Sequence, residues 1–269
     1  MKEFFGSIFS SPWGIAAFCA VAAAVFVFIA AIFYRAFFKR FFDFLLSLFA
    51  LAVLSPLFLF LIVAGAVAMK GNPFFVQKRP GKKKRKTGKE RIFSLIKFRT
   101  MSNAKDEEGN LLPDEKRLNG YGKFLRSSSL DELPELINIL KGDMALVGPR
   151  PQLVRDMVFM TEDQRRRHSV RPGLTGLAQI NGRNNITWEQ KFLYDLRYID
   201  GGISLAKDIG IIFGTVLKVL KRDDVVREGT ASDVDFGQYL LDGGAIGEEE
   251  FREKMDIAKK LLENGGKDR

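Results

Sequence analysis

In the stretch SLDELPELINILKGDMALVGPRP, residues 129–151, Asp131 and Glu132 stand side by side just before an apolar run of helical spacing. Two readings are open. Ser129 and Glu132 form S-x-x-E, so Glu132 can cap a helix over 131–140 while Asp131 complements its dipole. Alternatively, a carboxylate kept ionised there can attack phosphorus, and its neighbour can hold Mg2+, which needs only one or two protein oxygens when a phosphorylated substrate supplies the rest. A helix start also turns free amides toward phosphate.

A diphosphate needs cationic donors as well. Lys97 and Arg99 in KFRTM, Arg126, Arg150 in GPRP and Arg183 in NGRN sit in short motifs rather than in loose charge runs. Taken singly, each is also readable as a surface charge. Pro149 and Pro151 fix the backbone on both sides of Arg150, which prepares its guanidinium for a two-pronged phosphate contact. RPGLTG, residues 171–176, reads as a rigid turn, and His168 as an exposed or capping imidazole rather than a catalyst. The chain has no glycine-rich Walker loop, which excludes the usual nucleotide-kinase site. Its one cysteine, Cys19, lies in an apolar run. That excludes a disulfide framework, a Cys-based zinc site and a Cys–His pair, and suits a reducing compartment.

The elements that must position these residues begin in lipid. Trp13 to Tyr34 is free of charge over about 22 residues, enough at 1.5 Å per residue to cross a hydrocarbon core. Arg35, Lys39 and Arg40 follow it, which places its C-terminal end in the cytoplasm and argues against a cleaved leader. A second apolar run, Phe44 to Met69, is broken by Ser55-Pro56, where proline removes a donor and the Ser55 hydroxyl can satisfy the freed carbonyl. Basic residues flank it on both sides, so it is either a re-entrant hairpin or a kinked span.

Beyond the membrane segments, FFVQK (74–78) and RIFSLIKF (91–98) read as strands around the basic loop RPGKKKRKTGKE, a tip suited to anionic headgroups. Helices are expected near 114–126, 131–140, 152–167, 187–199 and 204–221, with T-x-x-Q capping boxes at Thr161/Gln164 and Thr187/Gln190. Leu205, Ile209, Ile212, Val216 and Leu220 share one face of the last, for the core or the membrane surface. The tail reads as a helical hairpin turning at Gly243-Gly244, or else as a solvated extension; contacts rather than chemistry are expected of it. The expected class is a membrane-associated, mostly helical α+β protein, divided at 1–36 (span), 37–70 (re-entrant helix), 71–229 (catalytic domain) and 230–269 (tail). A formal charge of +10 implies anionic partners, most simply anionic lipid and a phosphorylated substrate.

FFVQKRPG, KFRTM, RSSSLDELPELINILKGDMALVGPRP, RPGLTGLAQINGRN and LKRDDVVREG follow one another behind a Ser-Pro-broken apolar segment. In that order they resemble the bacterial sugar transferase family, the monotopic phosphoglycosyl transferases, and most closely its small PglC-type members, over roughly residues 37–229. The resemblance implies transfer of a sugar-1-phosphate from a UDP-sugar to polyprenyl (undecaprenyl) phosphate with release of UMP, opening a membrane glycan pathway at the cytoplasmic face of the bacterial inner membrane. It implies Asp131 as the nucleophile, through a phosphoglycosyl-aspartate, and Glu132 as the ligand of Mg2+. It implies substrate contacts from Lys97, Arg99, Arg126, Arg150, Arg183, Asp195 and Asp208, with Asp208 subject to a one-residue shift in IDGGISLAKD. An acetamido sugar is the expected cargo, and a homo-oligomer or pathway partner would use the tail. No nucleic acid is expected. The reading from another class is a membrane-tethered basic scaffold for anionic lipid or nucleic acid, which has no use for the acid pair.

Overall fold

The computed structural model describes residues 12–182, 186–221 and 234–264. Uninterrupted apolar sequence gives helix α1, Pro12–Phe33. Its window Pro12–Ile29 has mean hydropathy 2.2 with no part covered by the rest of the chain, long and apolar enough to cross a membrane. A π-helical turn, Tyr34–Phe38, leads into α2, Lys39–Val53, and α3, Ser55–Ala68. The pair is bent by 67° at the Ser-Pro step. Pro56 has no N–H to offer Ala52 four residues back, and the Ser55 hydroxyl donates to that carbonyl instead, at 2.8 Å. Outward-facing side chains of both halves, such as Phe49, Phe60, Val63 and Val67, are exposed.

β1, Phe74–Lys83, and β2, Glu90–Phe98, pair antiparallel, with Phe75 opposite Lys97, Gln77 opposite Leu95 and Arg79 opposite Phe93. The strands run farther toward the basic tip than expected, to Lys83 and from Glu90. Period two places Arg79, Gln77 and Lys97 on one face.

Several expected helices are shorter. The one expected near 114–126 is two, α4 Asp114–Arg117 and α5 Gly120–Ser128, parted where the Asn119 side chain caps the second by accepting from Gly122 N at 2.9 Å. The one expected over 131–140 begins later. Ser129 takes a left-handed conformation (φ 55°), Leu130–Glu132 forms a 3-10 turn, and α6 is Glu135–Lys141 behind Pro134. The S-x-x-E capping box therefore does not form, because Ser129 ends α5 rather than starting α6 and makes no side-chain capping bond. Residues 152–167 hold only α7, Val154–Met157, and a later 3-10 turn, Gln164–Ser169. The Thr161/Gln164 box is present at the start of that turn.

β3, Ala145–Val147, and β4, Gly173–Thr175, form a parallel pair that sequence alone did not suggest. Their backbones touch: a Cβ on Gly173 would lie 2.1 Å from Gly148 N, and one on Gly176 would lie 2.2 Å from Gly148 O. RPGLTG is thus a strand pressed against another backbone, a contact only glycine allows. After α8, Leu177–Ile180, come α9, Trp188–Asp200, capped reciprocally by Thr187 and Gln190, and α10, Leu205–Lys221. On α10, Ile211 is buried and Leu205 and Ile212 pack against the core, whereas Ile209, Val216 and Leu220 are exposed, so that face meets the core only in part. α11, Phe236–Asp242, and α12, Glu248–Asn264, form the expected hairpin with Gly244 left-handed at its turn. It packs on the body through Phe159, Trp188, Phe192 and Phe236.

α2 is fastened to this body. Arg40 donates to Ile139 O and Leu140 O at the end of α6, at 2.5 and 2.9 Å, and Asp43 accepts from Leu146 N of β3 at 3.0 Å. Asn138 of α6 bridges to β2, accepting from Ile96 N at 3.0 Å and donating to Ser94 O at 2.8 Å.

His168 is buried, not exposed as expected, with Nδ1 3.3 Å from Glu90 Oε1. Burial pushes the imidazole down to about 4, so it is neutral at pH 7. Burial alone would raise Glu90, but hydrogen bonds from His168 and Arg165 outweigh it and hold it at about 2. The ionised carboxylate can only accept, so Nδ1 carries the proton. A histidine whose folded value lies below its unfolded one contributes stability that is present above about 6.5 and is lost as pH falls through about 4. Denaturant unfolding from pH 7 to 4 should show that loss, about 3 kcal/mol from this residue, and His168→Gln should flatten it; an equally steep profile in the variant contradicts the assignment.

Candidate active site

The turn that replaces the expected helix start aims both acids at the strand face. Lys97, near the end of β2, reaches back with its ammonium 2.8 Å from Glu132 Oε1, 3.1 Å from Glu135 Oε1 and 3.9 Å from Asp131 Oδ2. Arg150 meets Glu132 Oε1 at 2.7 Å. Three carboxylates therefore face two cations, with Glu135 almost wholly enclosed. Burial works to lower the Lys97 ammonium, but Glu132 and Glu135 outweigh it and the net direction is up. Glu132 drives the Arg150 guanidinium further up. Both cations stay charged. Burial raises Glu135, against the pull of Lys97, because removing an ion from water costs more than one shared partner returns.

Arg150 is positioned from behind. Gly148 N donates to Thr175 O and Gly173 N to Pro149 O, each at 2.9 Å, so the GPRP loop is laced to β4. Arg167 donates to the Arg150 carbonyl at 2.7 Å and pairs with Asp195 at 2.6 Å, both side chains 2% exposed. Burial raises Asp195 to about 6, with Arg167 opposing. Asp195 thus holds the residue that holds Arg150 and does not reach the cleft, contrary to the expected substrate contact. Asp208 is likewise buried away from it, accepting from the Tyr34 and Tyr198 hydroxyls at 2.8 and 2.7 Å and from Lys39 at 2.6 Å. It ties the chain behind α1 to α9 and α10.

The acids open onto a cleft of about 1420 Å³, which Lys97, Arg99, Arg126 and Arg150 also line. Arg126 Nε donates to Thr100 Oγ1 at 3.1 Å. Arg183 lies outside the described residues. Ser55 and Pro56 stand at the bend between α2 and α3.

Sequence reasoning passed over Arg79, Glu135, Arg155 and Arg167. Arg79 lines the cleft, donating to Pro151 O and Gln77 Oε1, and burial lowers it to about 10. Its alternation with Gln77, on the strand face that also carries Lys97, was a usable signal; so was the spacing of Glu135 from Asp131 and Glu132. Nothing local marks Arg167, whose partners are remote in sequence.

A profile of the bacterial sugar transferase family matches residues 34–222. The chain belongs to that family. It is similar to the uncharacterized sugar transferase EpsL of Bacillus subtilis, 48% identical over 187 residues, 70% of this chain and 89% of that protein. It is also similar to the undecaprenyl-phosphate galactose phosphotransferase of Salmonella typhimurium, 35% identical over 205 residues, 70% of this chain and 41% of that protein. A third relative is the UDP-glucose:undecaprenyl-phosphate glucose-1-phosphate transferase of Klebsiella pneumoniae, 39% identical over 191 residues, 67% of this chain and 40% of that protein. The chain thus spans about two fifths of the latter two relatives. Every described site residue falls within the family match; α11 and α12 lie beyond it.

For a divalent cation, no three His, Cys, Asp or Glu side chains among the described residues form a metal cage. Adjacent acids in a cluster with one more carboxylate than cations still fit a hard ion that takes its remaining oxygens from phosphate.

The balance of charge is testable through stability. Lys97→Met should leave enclosed carboxylates without their shared partner and cost about 3–5 kcal/mol. Adding Glu135→Gln should recover part of that loss, because one buried charge is then gone. Denaturant unfolding of single and double variants measures it, and a double variant no more stable than the single contradicts the charge balance.

Proposed function

We propose that this chain transfers a sugar-1-phosphate from a UDP-sugar to polyprenyl phosphate through an aspartyl intermediate, releasing UMP. The observation that carries the reading is the Asp131-Glu132 pair in the wall of a cleft whose cations, Lys97 and Arg150, are locked in place. A carboxylate oxygen of Asp131 attacks the sugar-bearing phosphorus; the bond to UMP breaks and UMP leaves with the electron pair. The lipid phosphate then attacks the same phosphorus, forming the polyprenyl-diphosphate sugar and freeing Asp131. Lys97, Arg150, Arg79 and Arg126 supply fixed positive charge for the diphosphate, so little reorganisation accompanies the step. Glu132, beside the nucleophile, would hold Mg2+, which would neutralise charge on the diphosphate.

Membrane seating is part of the proposal. The apolar α1, the exposed faces of α2, α3 and α10, and the 67° bend support a span followed by a re-entrant helix, with the body on the cytoplasmic face of a bacterial inner membrane. The hairpin tip, rich in lysine, would face anionic headgroups. A soluble nucleotide and a lipid-borne phosphate meet at such a surface. For the donor, the relatives described above carry galactose and glucose in their names, which favours a hexose over the expected acetamido sugar.

Purified protein with UDP-glucose, UDP-galactose or UDP-N-acetylglucosamine, undecaprenyl phosphate and Mg2+ should release UMP from at least one donor. EDTA should stop the release and added Mg2+ restore it. Asp131→Asn should reduce turnover by at least about 10³-fold. A basic scaffold predicts no UMP from any donor, and a variant that turns over normally contradicts the aspartyl route.

A further inference from the structure

The C-terminal hairpin begins beyond the family match, yet its first residues line the same cleft as the acids: Val234 and Asp235 stand in its wall with Trp188, Leu153 and Arg155. This wall is built rather than laid on. Asp156 is buried, and its two oxygens divide between the halves of the wall, Oδ2 accepting from Leu153 N and Oδ1 from Phe236 N, both at 3.0 Å. Trp188 Nε1 donates to Val234 O at 3.2 Å. Phe236 is inserted between Trp188 and Phe192, with ring centroids 5.1 Å from each. Farther along, Phe251 stacks on Phe159 and Lys78 donates to Leu262 O at 2.5 Å.

Against that fixed backdrop Asp235 pairs with Arg155 at 2.9 Å, and neither is sealed in: their side chains are 33% and 47% exposed. A buried frame that presents one half-open ion pair to a cleft is arranged for a ligand rather than for stability, since a pair so exposed contributes little to folding. The carboxylate accepts hydrogen bonds only, and the guanidinium donates only. Together they match a ligand that carries hydroxyls beside phosphate.

We propose that the C-terminal hairpin is the outer wall of the donor-binding cleft and that Asp235, with Arg155, selects the donor by bonding to its hydroxyl groups. The inference rests on the sugar-transferase reading above and adds to it, in Asp235, a specificity residue from beyond residues 34–222. Relatives with other C-terminal sequences would then share the chemistry and differ in this wall.

The test uses the full chain and the three UDP-sugars named above, with undecaprenyl phosphate saturating. Asp235→Asn keeps the shape and removes the charge; Asp235→Ala removes both. Either variant should raise KM for the preferred donor about 10-fold and shift the preference among the three donors by a similar factor. Their kcat should stay within about twofold and their melting temperature close to that of the wild type. A merely structural pair would leave both KM and donor preference alone, whatever the melting temperature does. If the wild type releases UMP and both variants keep its KM and preference, the selector role is overturned while the transferase reading stands. If the wild type releases UMP from none of the donors, the transferase reading falls and this inference with it.

Discussion

Two cations must sit among three carboxylates that are partly or wholly withdrawn from the surface, and much of the body is arranged around that requirement. In a medium of low dielectric such charges are tolerable only when each is close to an opposite one and fixed there. Lys97 and Glu132 are 35 residues apart and Arg150 and Glu132 are 18 apart, so local structure cannot join them. A strand pair delivers the lysine, a left-handed residue and a 3-10 turn deliver the acids, and a loop laced to β4 delivers the arginine.

The same cluster is linked mechanically to the apolar helices. α6 carries Glu135 at its start, bonds to β2 through Asn138 at its middle and receives Arg40 of α2 on its last carbonyls. Placement of the broken helix against the body and position of the acids are thus set by one short helix. An enzyme joining a soluble donor to a lipid phosphate needs that relation fixed, because reacting atoms must approach within about 3–3.5 Å to gain from proximity.

What could be read in advance was what depends on local pattern. Apolar length announced α1, the missing proline donor announced the bend, and two short apolar-rich runs around a basic loop announced β1 and β2. Thr187 with Gln190 announced α9. Hidden features depended on remote partners. Ser129 looked like a cap and is a left-handed stop, because the chain must turn there to bring Asp131 and Glu132 to Lys97. The β3–β4 pair is only three residues per strand, too short to show alternation. Asp195 and Asp208 resembled substrate ligands by motif, yet each is consumed inside the protein, by Arg167 and by two tyrosines with Lys39. Motif position identified residues that matter; only geometry separated those that touch the cleft from those that hold others in place.

The most direct measurement of the central claim is intact-protein mass spectrometry after acid quench, with the preferred UDP-sugar and Mg2+ present and no lipid acceptor. A gain equal to one sugar phosphate, mapped by peptide analysis to Asp131 and discharged on adding undecaprenyl phosphate, is the predicted result. Turnover with no such adduct at any quench time, or an adduct on a different residue, would contradict it.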